Sequence, residues 1–294
     1  MATKNVLLQA AETIPGFSDI QNRFVRFLTL KDVSKPTLTA YTRTIAQISM
    51  YFNQSPLDIS EKQLKDYLFM MKSTRSGPTA FKLAIYSLRS LFTACNRKRL
   101  KTKLPSIPQP ERLPVVLSCL ECKQLIKAPV KFRDRFLIAF MYSSGLRLKE
   151  TVNLRIADID TQRMQIRVHQ GKGRKDRYVP LSKYIAQSLP NYLNKLHPVE
   201  YLFNSTKTGK QFSVRGIQRV IRQAIKDSGI TKKAGGHTLR HSYATHLLEN
   251  GVDLITIKNV LGHSRIQTTM GYLHVAQPKI NEFKNPLDTL YHFK

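Results

Sequence analysis

The sequence has little cysteine, no tryptophan and no long apolar run. Three cysteines among 294 residues are too few for a disulfide scaffold and cannot all pair, which predicts a reducing compartment. No uninterrupted apolar stretch approaches the ~20 residues that span a bilayer. The N-terminal residues lack the apolar core of a secretory signal. These absences predict a cytoplasmic protein, associated with the nucleoid if it binds DNA, and no membrane partner.

Acidic residues are also scarce. The chain carries 48 lysines and arginines against 19 aspartates and glutamates, a formal net charge of +29 at pH 7. Because 41% of the residues are hydrophobic, this charge belongs to a folded protein and not to a disordered basic tail. It predicts a polyanionic partner, of which nucleic acid is the common one. An evenly solvated basic surface is the alternative.

Apolar spacing divides the chain into two folded regions. Residues 17–99 carry apolar residues at helical spacing in four stretches, whereas the prolines and basic residues of the following segment resist regular structure. The second region contains a predicted β-hairpin with Gly171-Lys172-Gly173 at its turn and is otherwise mostly helical. We therefore predict an N-terminal extension at 1–16, a helical domain at 17–99, a linker at 100–112, a second domain at 113–276 and a C-terminal tail at 277–294.

Several basic residues of the second domain stand at special positions. His237 and Arg240 lie three apart at the predicted start of a helix, where free N–H groups and the helix dipole favour an anion. Arg147 follows a Gly-Leu pair at a turn between helices, and Lys172 lies at the predicted hairpin tip. Taken singly, each of them also fits an ordinary surface or turn residue.

A histidine and a tyrosine follow near the C-terminus. His263 comes just after a helix that Gly262 ends. Residues 264–267 match a capping box, so a new helix is predicted to begin there and to include Tyr272. Because the chain has 12 tyrosines, most of which are expected to be packing residues, Tyr272 does not stand out by itself.

Taken together, these segments resemble the ordered motifs of the tyrosine recombinases, the phage integrase family. The segments are 144–150 (SGLRLKE), 171–177 (GKGRKDR), 237–242 (HTLRHS), 261–264 (LGHS) and Tyr272. Residues 17–99 are similar to that family's core-binding domain, so the resemblance covers nearly the whole chain. The length and the lack of large insertions are most similar to the compact Xer and transposon-integrase branch.

The resemblance implies both a fold and a function. The fold is mainly α with a small antiparallel β-sheet, in two domains that close as a C-shaped clamp around duplex DNA. One domain is an all-helical, SAM-like core-binding domain and the other is a mixed α/β catalytic domain. The function is that of a site-specific recombinase or integrase, which cuts and rejoins duplex DNA through a 3′-phosphotyrosine intermediate and exchanges strands between two sites.

Catalytic roles follow from the same resemblance. Tyr272 would be the nucleophile, and Lys172 would protonate the leaving 5′-oxygen. The side chains of Arg147, Arg240 and His263 would bind the nonbridging phosphate oxygens. His237 would accept or return the tyrosine proton, and the arginines are expected to lower the pKa of Tyr272. Because the covalent bond conserves the phosphodiester energy, no cofactor, ATP or metal is required.

The resemblance also implies supporting residues and an assembly. Glu150 and His241 are expected to orient basic groups, although His241 equally fits a buried structural histidine. The expected DNA contacts are Arg43, Lys82, Arg89, Lys149, Arg174 and Lys175. The first three of these also fit plain phosphate contacts or solvated charges. Two DNA duplexes and four protomers, identical or of two kinds, would form the active synapse.

Three other functions fit parts of the sequence. His237 and His241 have the i, i+4 spacing of a zinc-binding helix, but Thr238 stands where the zinc motif needs glutamate, and Cys119 and Cys122 have no second cysteine pair. A DNA-binding accessory protein without chemistry is a second alternative. A nick-closing enzyme similar to the type IB topoisomerases, which would share the tyrosine chemistry, is the third.

Deletion of the residues after 277 is expected to impair assembly more than DNA binding by the monomer. The reason is that the tail of related proteins packs on a neighbouring subunit, and Ile280, Phe283 and Leu287 would supply the apolar anchors here. Gel filtration and a synapsis assay measure assembly, while a native gel measures binding. Unchanged synapsis after the deletion would contradict the expectation.

Overall fold

The computed structural model describes residues 6–74, 77–97, 104–107, 113–169, 176–205 and 209–276. The chain forms two compact units, Met1–Pro110 and Glu111–Lys294. Their boundary falls within the segment 100–112, and each unit has its own hydrophobic core. Within the described ranges, no helix is both long and apolar enough to cross a membrane.

Helices build the N-terminal unit. They are α1 (Val6–Thr13), α2 (Phe17–Leu30), α3 (Lys35–Phe52), α4 (Glu61–Ser73) and α5 (Gly77–Ala94). Helix α3 is central, since α1, α2 and α5 all pack against it. Residues such as Phe24, Ile48 and Phe92 fill the core between them. The α-helical fold predicted for this part of the chain is confirmed.

Local sequence signals explain some helix ends and miss one helix. A capping box starts α4, because the Ser60 hydroxyl accepts from the Gln63 N–H at 3.3 Å and the Gln63 side chain accepts from the Ser60 N–H at 2.9 Å. Helix α1 lies in the predicted extension and was not expected. Its buried Ala10 and the following Ile14 belong to the core. The apolar face of α1 is identified by its packing on α3 and not by its sequence alone.

In its described part, the C-terminal unit combines eight α-helices and one 3₁₀ turn, Ile156–Asp158, with a small sheet. The helices are α6 (Cys119–Lys127), α7 (Phe132–Ser144), α8 (Leu148–Asn153), α9 (Lys183–Leu196), α10 (Val214–Asp227), α11 (Gly236–Glu249), α12 (Leu254–Leu261) and α13 (Gln267–Met270). The strands are β1 (Ile159–Asp160), β2 (Gln165–Val168) and β3 (Arg177–Pro180), paired antiparallel in the order β1-β2-β3. The two strands of the predicted hairpin thus pair, with Ile166 opposite Val179, while its predicted turn at 171–173 lies outside the described residues. Strand β1 is too short to show strand alternation.

Helix α7 is the centre of this unit. Its residues are buried on nearly every side, and α6, α9 and α11 pack around it. The Tyr192 ring of α9 stacks on Phe136 with ring centroids 4.1 Å apart, and its hydroxyl donates to the Leu202 carbonyl at 3.0 Å. Because α7 is held from several sides, the turn at its C-terminus is fixed in space.

The helix predicted around Tyr272 is wrong in its bounds. Residues 264–267 form no capping box, since α13 begins at Gln267 after Ile266 and has no side-chain cap. Helix α13 ends at Met270, and Tyr272 lies in the turns that follow. Its N–H donates to the Thr269 carbonyl three residues back, so the chain around Tyr272 is wound by short-range turns and not by an α-helix.

Replacement of Gly145 by alanine is expected to destabilise the C-terminal unit more than the same change at Gly251. Both glycines have a positive φ, +59° and +80°, so each alanine costs about 1–2 kcal/mol in backbone conformation. A Cβ at Gly145 would also overlap the Tyr243 ring, whereas nothing lies within 4 Å at Gly251. Denaturant unfolding measures the difference, and equal losses would contradict it.

Candidate active site

Arg147 and Glu150 lie at the N-terminus of α8, directly after the left-handed turn at Gly145. The Glu150 carboxylate accepts from the Arg147 backbone N–H at 2.8 Å and from the Arg147 guanidinium at 2.7 Å. A carboxylate at this position satisfies a free N–H and complements the helix dipole. The start of α8 therefore fixes Glu150 and, through it, one arginine.

Two further guanidinium groups surround the same carboxylate. Arg177 of β3 donates to both carboxylate oxygens, at 2.9 and 2.8 Å, in the bidentate geometry that suits arginine. Arg240 of α11 lies 4.0 Å from one of them. The Glu150 side chain is only 7% exposed. We call Arg147, Arg177 and Arg240 the arginine cluster; three positive charges around one carboxylate leave a net charge of +2.

The C-terminus of α12 binds all three members of the arginine cluster. Arg177 donates from Nε to the Val260 carbonyl at 2.8 Å, Arg240 to the Leu261 carbonyl at 2.6 Å, and Arg147 to the Gly262 carbonyl at 3.3 Å. The last carbonyls of a helix have no partner within it and carry the negative end of its dipole. The cluster thereby fixes the turn that carries His263.

Burial and pairing set the ionisation of these groups. Burial alone would raise the pKa of Glu150, but hydrogen bonds from Arg177 and Arg147 and their charges outweigh it and lower this pKa to about 2. Burial, followed by the charge of Arg147, lowers the pKa of Arg240 to about 10. Both groups are therefore charged at pH 7, and the cluster keeps its net positive charge.

Tyr272 lies beside two histidines in a small apolar core. Its side chain is buried with Ala244, Ile257 and Leu261, and the whole residue is 2% exposed. The hydroxyl lies 3.1 Å from Nδ1 of His241. The His263 ring stacks on the tyrosine ring with centroids 6.3 Å apart, and Nδ1 of His263 lies 2.9 Å from the Thr269 hydroxyl.

The pKa of Tyr272 is shifted in the direction opposite to the one expected from the sequence. Burial raises this pKa above its ordinary value, and the charges of Arg240 and Arg147 offset only part of the rise. The arginine charges act in the predicted direction, but the expected net lowering of this pKa was wrong because it left out the loss of solvent around the phenol. Burial, together with the charges of His237 and Arg240, lowers the pKa of His241, so this imidazole is neutral at pH 7.

Comparison with known proteins decides the family. Residues 116–279 match the model described as the phage integrase family, and residues 20–102 match the phage integrase N-terminal SAM-like domain. The chain belongs to the phage integrase family. It is 30% identical to the tyrosine recombinase XerD of Staphylococcus haemolyticus over 289 residues, which cover 90% of this chain and 97% of that protein.

Solved structures of recombinases agree with this assignment. A crystal structure of the XerA recombinase is 31% identical, covers 95% of this chain and 99% of that one, and has a TM-score of 0.53. A λ integrase tetramer bound to a Holliday junction is 18% identical, covers 95% and 83%, and shares the fold with a TM-score of 0.72. The chain is thus a tyrosine recombinase, an enzyme of site-specific DNA cleavage and rejoining, which confirms the predicted family, fold class and activity.

The recombinase fold brings most of the predicted site residues together. Arg147, Arg240 and Glu150 meet in the arginine cluster, and Tyr272, His241 and His263 lie beside it. His237 is exposed in the first turn of α11. Lys172, Arg174 and Lys175 lie outside the described residues. In the described part, no three His, Cys, Asp or Glu side chains group closely enough to hold a metal ion.

The predicted DNA contacts are spread over both units. Arg43 is exposed on α3, and Lys149 is exposed on α8. Lys82 and Arg89 are half-buried on α5, and the Arg89 guanidinium donates to the Pro105 carbonyl at 2.8 Å. Arg89 is therefore partly engaged within its own unit, while Arg43 and Lys149 face solvent.

Sequence reasoning missed two features of the recombinase. Arg177 stands in a recognised segment, but its partner Glu150 is 27 residues away, and no spacing rule connects a strand residue to a distant helix start. The second feature is a basic face on α10, formed by the exposed residues Arg215, Arg219, Arg222 and Lys226. Their helical spacing was a readable signal. Helix α10 packs against α8, which places this face on the unit that holds the cluster.

Replacement of Glu150 by glutamine is expected to destabilise the recombinase at neutral pH and much less in acid. A pKa lowered from 4.5 to about 2 corresponds to about 3 kcal/mol of stability. For a carboxylate with a depressed pKa, this stability is present above pH 4.5 and is lost as the pH falls towards 2. Urea unfolding from pH 7 to pH 2 measures it.

Glu61→Gln is the matched control for this prediction. Glu61 pairs with Lys65 at 2.7 Å on the exposed face of α4, and such surface pairs contribute less than about 1 kcal/mol. The Glu150 variant should lose clearly more at pH 7 than the control. A loss that stays constant down to pH 2 would show that the ionisation of Glu150 is not its cause.

Proposed function

We propose that this recombinase holds the scissile DNA phosphate against Arg147 and Arg240 and cleaves it with Tyr272. The observation that carries the proposal is the arginine cluster, because a partly buried net charge of +2 next to a tyrosine and two histidines is suited to a phosphodiester under attack. The described hydrogen bonds use two of the five N–H donors of Arg147 and two of those of Arg240. The Arg147 side chain is 23% exposed, so donors remain for phosphate oxygens.

The cleavage step balances without a cofactor. A bond forms between the Tyr272 oxygen and phosphorus, and the bond from phosphorus to the 5′-oxygen breaks. The proton of the phenol passes to a histidine, and Lys172 donates a proton to the leaving 5′-oxygen. The reverse reaction with a different 5′-hydroxyl rejoins the strands and releases the tyrosine. Arg147, Arg240 and His263 stabilise the charge that develops on the nonbridging oxygens.

Of the two histidines, His241 is the better placed to accept the proton of the Tyr272 hydroxyl. Its Nδ1 lies 3.1 Å from the Tyr272 hydroxyl, within hydrogen-bond reach, and the neutral imidazole can accept a proton. His237, to which the resemblance gives this role, lies one turn earlier on α11 and is exposed; it remains the second candidate. Since Tyr272 is buried, the turns at 271–275 must move before its oxygen reaches a phosphate.

The wider DNA interface follows from exposed positive charge. The basic face of α10, together with Lys149 on α8, offers five cations to phosphates from the catalytic unit. Arg174 and Lys175 beside Lys172, and Arg43, Lys82 and Arg89 of the N-terminal unit, complete the proposed contacts. Binding of duplex DNA, a synapse of four protomers and a cytoplasmic, nucleoid-associated location belong to the same proposal. The DNA-bound λ integrase tetramer of similar fold supports the first two.

Covalent capture on a suicide duplex tests the proposed chemistry. The purified recombinase is mixed, in chelator, with nicked duplexes cut from the DNA that flanks its own gene, and the products are resolved on a denaturing gel. We expect a slow protein–DNA band with the native chain and none with Tyr272→Phe, which lacks the nucleophilic oxygen. Tyr243→Phe removes a neighbouring half-buried hydroxyl and should keep the band.

Each outcome of this experiment is informative. An adduct with Tyr272→Phe would show that another residue is the nucleophile. Binding by both proteins on a native gel without any adduct would favour an accessory DNA-binding role. Loss of the band in chelator, with recovery on adding a metal, would overturn the metal-free mechanism. A slower adduct in His241→Ala than in His237→Ala is expected if His241 takes the proton.

A further inference from the structure

We propose that Arg177 is a positioning residue, which aims the Arg147 guanidinium at the scissile phosphate through their shared partner Glu150. The proposal rests on the function proposed above, since it concerns the same site. It gives a role to a residue that closes the motif 171–177 but has no place in the expected catalytic set.

Arg177 is less exposed than Arg147, and its guanidinium is bound to protein groups. Its side chain is 10% exposed, against 23% for Arg147. Its Nε and both terminal nitrogens are engaged, with Val260 and with the two carboxylate oxygens of Glu150. Arg147 is therefore the better placed of the two to bind a phosphate, and Arg177 is committed to holding protein groups.

The shared carboxylate transmits this constraint. One oxygen of Glu150 accepts from Arg177 at 2.9 Å and from Arg147 at 2.7 Å. The Arg147 backbone N–H also binds one carboxylate oxygen, at 2.8 Å. Because the terminal torsion of a glutamate is soft, the bidentate bond from Arg177 is needed as well to fix the plane in which the carboxylate lies. Without it, the carboxylate can turn towards Arg240, whose nearest nitrogen is 4.0 Å away. The Arg147 guanidinium would then lose its fixed direction.

The same side chain also holds the turn that carries His263. The Arg177 Nε donates to the Val260 carbonyl at 2.8 Å, at the end of α12. A Cβ on Gly262 would lie 3.0 Å from the Arg177 side chain, so the arginine packs closely on the left-handed residue that precedes His263. Arg177 thus connects β3, the start of α8 and the end of α12, and these two helix ends carry Arg147 and His263.

A role of Arg177 in charge alone and a role in positioning predict different activities for the Arg177→Lys variant. Arg177→Lys keeps a positive charge but cannot form the bidentate pair. If Arg177 only adds charge to the cluster, the lysine variant should be almost fully active. If it positions the carboxylate, Arg177→Lys should be slowed nearly as much as Arg177→Met.

The test compares two scissile groups in the covalent capture assay. One suicide duplex carries the normal phosphate and the other carries a methylphosphonate at the same position. Because the methylphosphonate lacks one nonbridging charge, it depends less on an accurately aimed guanidinium. We expect Arg177→Met to slow adduct formation by about 10- to 100-fold on phosphate and by less than about 3-fold on methylphosphonate, as for Arg147→Ala.

Arg167→Met is the matched control. Arg167 lies on the paired strand β2, is half exposed and pairs with Asp176 at 3.1 Å, so its loss removes one charge from the same hairpin without touching Glu150. Its rates should stay within about 2-fold of the native chain on both substrates. Thermal unfolding and a native gel confirm that each variant folds and binds DNA, and Arg177→Lys replaces Arg177→Met if the latter does not fold.

A double mutant shows whether Arg177 acts through Glu150. Adding Arg177→Met to Glu150→Gln should change the rate by less than about 3-fold if both act on the same carboxylate contact. Additive losses, equal losses on the two substrates, or a fully active Arg177→Lys would each overturn the proposal. Full activity of Arg147→Ala would instead overturn the proposed function, whereas a defective Arg147→Ala beside active Arg177 variants would refute this inference alone.

Discussion

The structure of the catalytic unit depends on the buried carboxylate of Glu150. Three guanidinium groups within a few ångströms of one another would repel strongly in a site with little water. The carboxylate binds Arg147 and Arg177 directly and lies 4.0 Å from Arg240, so it makes their approach possible. Because a single negative charge neutralises only one of three positive charges, the site keeps a net charge of +2, which attracts an anion.

The end of α12 adds a second, uncharged partner for the same groups. Its last carbonyls accept from all three arginines, so the dipole of one helix offsets positive charge that the carboxylate leaves unpaired. This arrangement joins a strand and three helices at one point. It also couples the arginine cluster to the turn bearing His263, so that groups from distant parts of the chain occupy fixed relative positions.

Tyr272, in contrast to the arginine cluster, lies in a small apolar core. Its apolar surroundings raise the pKa of the phenol despite the arginine charges nearby, and its hydroxyl meets the neutral imidazole of His241. The phenol oxygen of Tyr272 is thus kept protonated and out of solvent. The segment that carries it is held by turns with hydrogen bonds between residues close in sequence, and not by an α-helix.

The sequence by itself determined the family, the predominantly helical fold and the two strands of the hairpin, and it indicated candidate site residues, because helical spacing, glycine stops and ordered motifs are local signals. It could not show that α1 joins the core or that Tyr272 follows a short helix, since both depend on packing. Nor could it show that Arg177 meets Glu150, or that burial outweighs charge at Tyr272. Those outcomes were decided by the tertiary structure, because contacts between remote residues and the exclusion of water exist only in the folded chain.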